Sequence, residues 1–238
     1  MKPYDAERDK KSQIREMFDN IAPTYDRLNH LLSMNIDRLW RRSAVNEVAR
    51  RRPSAVLDIA TGTGDMAIAL AKKMPDATVD GIDLSTEMLE VARMKIEASG
   101  LSGRVTAVCC DAERMSFDDR RFDAVTVAFG VRNFENIDEG LREMHRVLKD
   151  GGVLVVLELS TPRNRVVKAL YDFYSHRILP FAGRSVSKDG KAYEYLPASV
   201  EEFPVPECFA EMIRAAGFAS VRIESKSFGI ATIYIAEK

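Results

Sequence analysis

Val56-Leu57-Asp58-Ile59-Ala60-Thr61-Gly62-Thr63-Gly64-Asp65 is the stretch whose reading decides how this chain folds. An apolar run carries one carboxylate, Asp58, and empties into a turn with glycines at 62 and 64 before a helix-like segment opens at Met66. The order describes a strand delivering its C-terminal end into a loop that a small molecule can approach closely, because glycine has no Cβ to hold it off. Asp58, Gly62 and Gly64 are therefore the first candidate ligand contacts.

Working outward, apolar strand-like runs cover Ala55 to Ile59, Thr78 to Asp83, Val105 to Cys110, Ala124 to Phe129 and Val153 to Leu159. Helical patterns separate them at Met66 to Lys73, Glu87 to Ser99 and Ile137 to Leu148, with cap signals at Ser85 and at Asn136 followed by Glu139. Continuously apolar strands joined by helical crossovers predict an α/β fold, a doubly wound parallel sheet covered on both faces. Gly151-Gly152 predicts a turn into the fifth strand. Ser220 to Ser227 and Ile230 to Ala236 alternate around Phe228-Gly229 and predict an antiparallel pair that closes the sheet. All 238 residues are expected to form one domain, with a helical region over 1–52 and an aromatic, basic insertion over about 162–206 that lies on the substrate side.

Composition narrows the classes. Hydrophobic residues make up 46% and charged residues 30% of the chain, and no run approaches the ~20 apolar residues that cross a bilayer. The opening residues MKPYDAERDKK have no apolar segment behind them, which predicts a cytoplasmic protein rather than a secreted one. A formal net charge of −1 speaks against a nucleic-acid partner. The three cysteines, two of them adjacent at 109 and 110, offer neither a disulfide framework nor metal-ligand spacing. Arg38, Arg41, Arg42 and Arg50 to Arg52 are interleaved with Leu39, Trp40, Val45 and Val48, a pattern that suits either an anionic membrane surface or packing on the chain's own domain.

Gly62, Gly64 and Ala67, with Asp83 some twenty residues on, match a dinucleotide fingerprint. Charge argues for a different ligand. A pyrophosphate over this turn would face Asp58 and Asp65, whereas S-adenosylmethionine brings a sulfonium and an ammonium that those acids attract. Asp83, ending the second strand, suits both ribose hydroxyls. Asp111, past the third, suits the adenine amino group, with the Ala112 N–H left for a ring nitrogen.

Five segments, LDIATGTGD, GIDLSTEMLEVAR, FDAVTVAFGVRNF, REMHRVLKDGGVLVVLELSTP and LPFAG with AYEYLPASV, resemble in order the S-adenosylmethionine-dependent methyltransferases of ubiquinone and menaquinone biosynthesis. The resemblance runs from about Phe18 to the end. It implies a class I methyltransferase fold, a seven-stranded sheet with the last strand antiparallel, and C-methylation of a prenylated quinol, with S-adenosylhomocysteine as the other product. It places cofactor contacts on Thr63, Asp83, Asp111, Ala112 and Ala128; alanine at 128 leaves only backbone or packing contact where some members carry serine. Between ring types it favours a demethylmenaquinol, with a ubiquinol precursor as a further acceptor. Such a substrate resides in the bilayer, so a peripheral encounter at the membrane's inner face is expected; a homodimer is compatible with the chain.

Carbon becomes nucleophilic when a quinol hydroxyl ionises. Phenols ionise near pH 10, and a neighbouring cation lowers that by about 1–3 units. Arg132, directly after the fourth strand, is the best placed cation and the candidate catalytic residue, with Asn133 orienting the ring and Tyr25 and His176 as further substrate contacts. The alternatives are an NAD-dependent oxidoreductase, which shares the glycine turn, and a methyltransferase of another small aromatic acceptor. A nucleic-acid methyltransferase is disfavoured by AFGVRN at the end of the fourth strand, and a non-catalytic adenosyl-binding protein by Arg132-Asn133 beside the cofactor set.

Overall fold

A computed structural model describes residues 1–5, 7–178 and 190–238. Helices α1 (Lys10–Ile21), α2 (Tyr25–Leu32) and α3 (Ile36–Ala49) precede the sheet. Strands β1 (Ala55–Ile59), β2 (Thr78–Asp83), β3 (Val105–Cys109), β4 (Phe122–Ala128) and β5 (Leu148–Leu159) then alternate with α4 (Asp65–Lys73), α5 (Thr86–Ala98) and α6 (Ile137–Val147). Beyond β5 come α7 (Arg165–Phe173), α8 (Gly190–Glu202), α9 (Pro206–Ala215), β6 (Ser220–Lys226) and β7 (Ala231–Glu237).

The sheet order among the described residues is β3-β2-β1-β4-β5-β7-β6. β1 to β5 are parallel, and β7 is antiparallel to both β5 and β6, the seven-stranded arrangement expected. Strand order reverses between β1 and β4, and a doubly wound sheet takes its ligand in the crevice beyond the strand ends at that point.

Period-two alternation sends neighbouring residues of each strand into different layers. Val56, Val79 and Val155 pack with α3, α4 and α5, while Leu57, Ile82 and Val156 pack with α6 and α9. Ser85 and Asn136 cap their helices, accepting from the N–H groups of Met88 (3.1 Å) and Glu139 (3.2 Å). One local expectation changes. Gly151-Gly152 lies inside β5 rather than ahead of it, because Leu148 already pairs with Phe122 and the register slips before Val153 meets Ala124. In the N-terminal region, Ile14, Met17, Ile21 and Leu28 bury against Met88 of α5 and Tyr195 of α8. This packing lays α1 and α2 over the C-terminal edge of the sheet.

Candidate functional site

Loops leaving β1 to β4 enclose, under α1 and α2, a cavity in which a few charged groups converge among apolar neighbours such as Ile14, Phe18, Ile82 and Phe134, the make-up of a small-molecule site. Gly62, Asp83, Asp111, Ala112 and Ala128 line its sheet side, and Tyr25 and Asn133 reach it from α2 and the turn after β4. The strand ends thus bring together seven of the residues singled out by sequence.

Asp83 is held in one orientation, its two oxygens accepting from the N–H groups of Gly62 (2.8 Å) and Ser85 (2.9 Å). Burial raises its pKa, and those backbone donors oppose the rise. A Cβ at Gly62 would meet no atom within 4 Å, so the backbone there is open to a ligand. Asp111 accepts from the Glu113 N–H (2.9 Å) and pairs with Lys11 of α1 at 2.6 Å. Lys11 also reaches Glu113 at 3.2 Å; burial opposes its charge, but the two carboxylates outweigh that and raise its pKa. Further ties hold α1 down. Lys10 Nζ donates to the carbonyls of Arg132 (3.1 Å) and Phe134 (2.7 Å), and Ser85 Oγ donates to Asp19 (2.6 Å).

Other expected contacts point elsewhere. Asp58 shares the sheet face of Val56, so its carboxylate enters the α3–α4 layer and accepts from the hydroxyls of Thr61 (2.6 Å) and Thr126 (2.6 Å), tying β1 to β4. Burial there pushes its pKa up to about 6. Asp65 turns back to Lys95 (2.6 Å), His30 (3.3 Å) and Arg41 (3.6 Å). The expected attraction of a cationic ligand by Asp58 and Asp65 is therefore corrected: Asp83, Asp111, Glu113 and Glu135 are the acids at the cavity. Thr63 donates its hydroxyl to Asp26 of α2. Gly64, at φ +83°, packs on α5, where an added Cβ would lie 3.2 Å from the Ala92 Cβ. Thr63 and Gly64 thus shape the turn without lining the cavity.

Arg132 sits on a one-turn helix at Val131–Asn133 and is buried. Its Nη1 pairs with Glu158 at 2.6 Å and donates to the Phe129 carbonyl (2.5 Å), and its Nε donates to Ser199 Oγ (3.3 Å). Burial works against the cation, but Glu158 and the neighbouring Tyr25 and Tyr195 hold its pKa above the ordinary arginine value. The side chain expected to face the substrate is thus anchored behind the cavity wall rather than in it. Its field still reaches three tyrosines. Burial pushes Tyr171 and Tyr195 up to about 12 and raises Tyr25, with Arg132 opposing each rise. The Tyr195 hydroxyl donates to Asn133 Oδ1 at 3.2 Å. The His176 side chain lies outside the described residues.

Sequence reasoning missed Lys11, Glu113, Glu158 and Tyr195. Lys11 and Tyr195 belong to segments that contribute nothing to the sheet, and no local pattern says where their helices dock. Glu158 was legible as an acid near the end of an otherwise apolar β5, a position that demands a buried partner.

Solved structures place the architecture. The cyclase SpnF superposes with a TM-score of 0.68 at 20% identity, covering 96% of each chain. A SAM-dependent methyltransferase from Thermotoga maritima does so with 0.63 at 18%, covering 94% of this chain and 99% of that one. Fold and topology are thus those of the S-adenosylmethionine-dependent methyltransferase class.

Within that class the chain belongs to the ubiE/COQ5 methyltransferase family, whose profile matches residues 6–238. It is 46% identical to a Bacteroides fragilis protein named demethylmenaquinone methyltransferase, over all of this chain and 97% of that one. It is 47% identical to a Geobacter sp. (strain M21) protein named ubiquinone/menaquinone biosynthesis C-methyltransferase UbiE, over 97% and 98% of the two chains. These matches support methyl transfer over the nicotinamide alternative. Among the described residues no helix is long and apolar enough to cross a membrane.

Proposed function

We propose that this protein methylates a ring carbon of a demethylmenaquinol, using S-adenosylmethionine and releasing S-adenosylhomocysteine and menaquinol. The observation that carries the reading is one cavity lined by two chemically different sets of residues. One is the oriented carboxylates of Asp83 and Asp111; the other is Tyr25 and Asn133, backed by the buried Arg132 cation.

Asp83 would accept from both ribose hydroxyls, because its backbone donors fix the carboxylate of a residue that lines the cavity and leave further lone pairs free. Asp111 would take the adenine amino group in competition with Lys11, and Ala112 offers its N–H to the ring. Gly62 supplies backbone that can be approached closely, and Ala128 packs without a polar contact. When bound, S-adenosylmethionine supplies an electrophilic methyl group.

Toward the acceptor, the chain's own residues prepare the carbon. Tyr25 and Asn133 line the cavity and would position the ring for in-line displacement, which needs the reacting carbon about 3 Å from the methyl group. Arg132, acting across the wall through its field, favours the ionised hydroxyl and so raises electron density on the adjacent ring carbon. Tyr195, its pKa pushed up to about 12, stays protonated at neutral pH and donates to Asn133 rather than acting as a base. The Glu158 charge moderates the Arg132 field and fixes the guanidinium.

The test is transfer of labelled methyl from S-adenosylmethionine to a short-tailed demethylnaphthoquinone, assayed with and without a reductant. Label should enter the ring only in the reduced sample. Label in neither sample, or equally in both, overturns the reading. A benzoquinol offered in parallel measures whether the site admits the smaller ring.

A further inference from the structure

We propose that the exposed apolar surface formed by α7, the α2–α3 elbow and the β6–β7 turn is a membrane-docking surface that seats the protein on an anionic lipid bilayer. The inference rests on the reading above only for what the surface is for: delivering a prenyl tail from the bilayer to the site. The surface itself follows from exposure and charge.

α7 carries Val166, Leu170 and Phe173 at positions i, i+4 and i+7, one stripe of a helix. These side chains are 70%, 67% and 62% exposed, and α7 buries no residue at all. A helix with its apolar stripe turned to solvent lacks a partner on that side. The elbow between α2 and α3 adds Leu31, Met34 and Leu39, exposed at 64%, 73% and 61%, and the turn between β6 and β7 adds Phe228 at 84%.

Three contacts join these pieces into one rim. The Tyr174 hydroxyl, just past α7, donates to the Leu32 carbonyl. Trp40 Nε1 donates to Ser227 Oγ at 2.9 Å. A Cβ on Gly229 would lie 3.4 Å from Pro162, where the chain turns toward α7. β7 is antiparallel to both β5 and β6, so β6 runs with the parallel strands and its turn projects from their C-terminal edge, the edge whose loops line the cavity.

Charge selects the occupant. Arg27 lies four residues before Leu31 on α2, and Arg38 and Arg42 lie one turn apart beside Leu39 on α3. All three are exposed, and none has an ion-pair partner among the described residues. The nearby acids are committed: Asp37 to His30 (2.9 Å) and Arg41, and Asp26 to Lys95 and Thr63. Apolar side chains interleaved with unpaired arginines match an interface of acyl chains below anionic headgroups, where each arginine contributes through the surface potential and its stem lies along the apolar layer.

The experiment is co-sedimentation of the full chain with phosphatidylcholine vesicles and with phosphatidylcholine–phosphatidylglycerol vesicles at low and high salt. Binding is expected only to the anionic vesicles and only at low salt. R38Q/R42Q should weaken partition about 30-fold, and V166S/L170S/F173S should weaken it independently. Both variants should keep wild-type turnover of a short-tailed, water-soluble quinol while losing turnover of a long-tailed quinol embedded in anionic vesicles. No vesicle binding by the wild type, or unchanged binding by both variants, overturns the proposal. So does a concentration-dependent dimer that the α7 variant abolishes, which would assign the face to a second copy. Vesicle binding without turnover of any quinol would instead sink the catalytic reading and leave the surface standing.

Discussion

Replacing Glu158 by glutamine separates the structural from the chemical work of the Arg132 pair. Glu158 is fully buried, accepts from Arg132 Nη1 (2.6 Å), and also accepts from the Leu159 N–H (2.9 Å). Glutamine keeps the shape and one acceptor but leaves a buried cation without its counter-charge. Breaking a buried pair by removing one partner costs about 3–5 kcal/mol, and the retained hydrogen bond puts E158Q near the low end. At roughly 2–4 °C per kcal/mol for a chain of this size, Tm should fall by about 6–12 °C. The effect on chemistry has the opposite sense. With Glu158 neutral, the Arg132 field on the acceptor is stronger, so the substrate hydroxyl ionises more readily and the ascending limb of kcat against pH should move roughly one unit lower. The assay is kcat for a short-tailed demethylnaphthoquinol across pH at saturating S-adenosylmethionine and at a temperature where the variant is folded, since kcat reports ionisations in the bound complex. A limb that stays in place while Tm falls would show that Arg132 holds the wall together and does not ionise the acceptor.

Asp83→Ala removes the acceptor of two backbone N–H groups and of both ribose hydroxyls, and S-adenosylmethionine affinity measured by calorimetry should fall about 100-fold, given ~1.5–3 kcal/mol for each hydrogen bond to a charged group; a change under threefold contradicts that role. Lys11→Gln cuts the half-exposed tie between α1 and Asp111, so stopped-flow release of S-adenosylmethionine should quicken about threefold with little change in Tm; slower release would mean that Lys11 competes with the ligand more than it encloses it. Asp58 has its pKa raised by burial from the ordinary 3.8 to about 6, so the folded protein binds the extra proton and this group's contribution to stability declines as pH rises between those values. Asp58→Asn lacks that charge, and its Tm relative to wild type should climb between pH 4 and pH 7; a difference that is flat or falls with pH refutes the buried-charge explanation.

Much of the fold was legible because it rests on local patterns. The run Val153 to Leu157 is apolar on both faces, which only a doubly covered strand tolerates, and Ser85 announces its helix by a cap. Asp83 and Asp111 were legible because one ends β2 and the other follows β3, on the C-terminal edge beyond which a doubly wound sheet takes its ligand. Asp58 misled because it pairs with Gly81, two residues short of the level of Asp83 on the same sheet face, so its side chain enters the layer with Val56 rather than the cavity beyond the strand ends. Asp65 sits in the first turn of α4 and finds three basic side chains from α2, α3 and α5, partners separated from it by 24 to 35 residues that no local motif signals. Arg132 was read as a free cation because its counter-charge, Glu158, lies on the neighbouring strand. Ligand attraction inferred from nearby charge is only as good as knowledge of which charges the fold has already paired.

The most direct check is a crystal structure of the protein with S-adenosylhomocysteine. Its ribose hydroxyls should lie within hydrogen-bond reach of Asp83, with the adenine beside Asp111 and Ala112 and the sulfur directed toward Asn133 and Tyr25. Adenosyl density outside this cavity, in the groove between α3 and α4 for example, or a ribose that leaves Asp83 untouched, would contradict it.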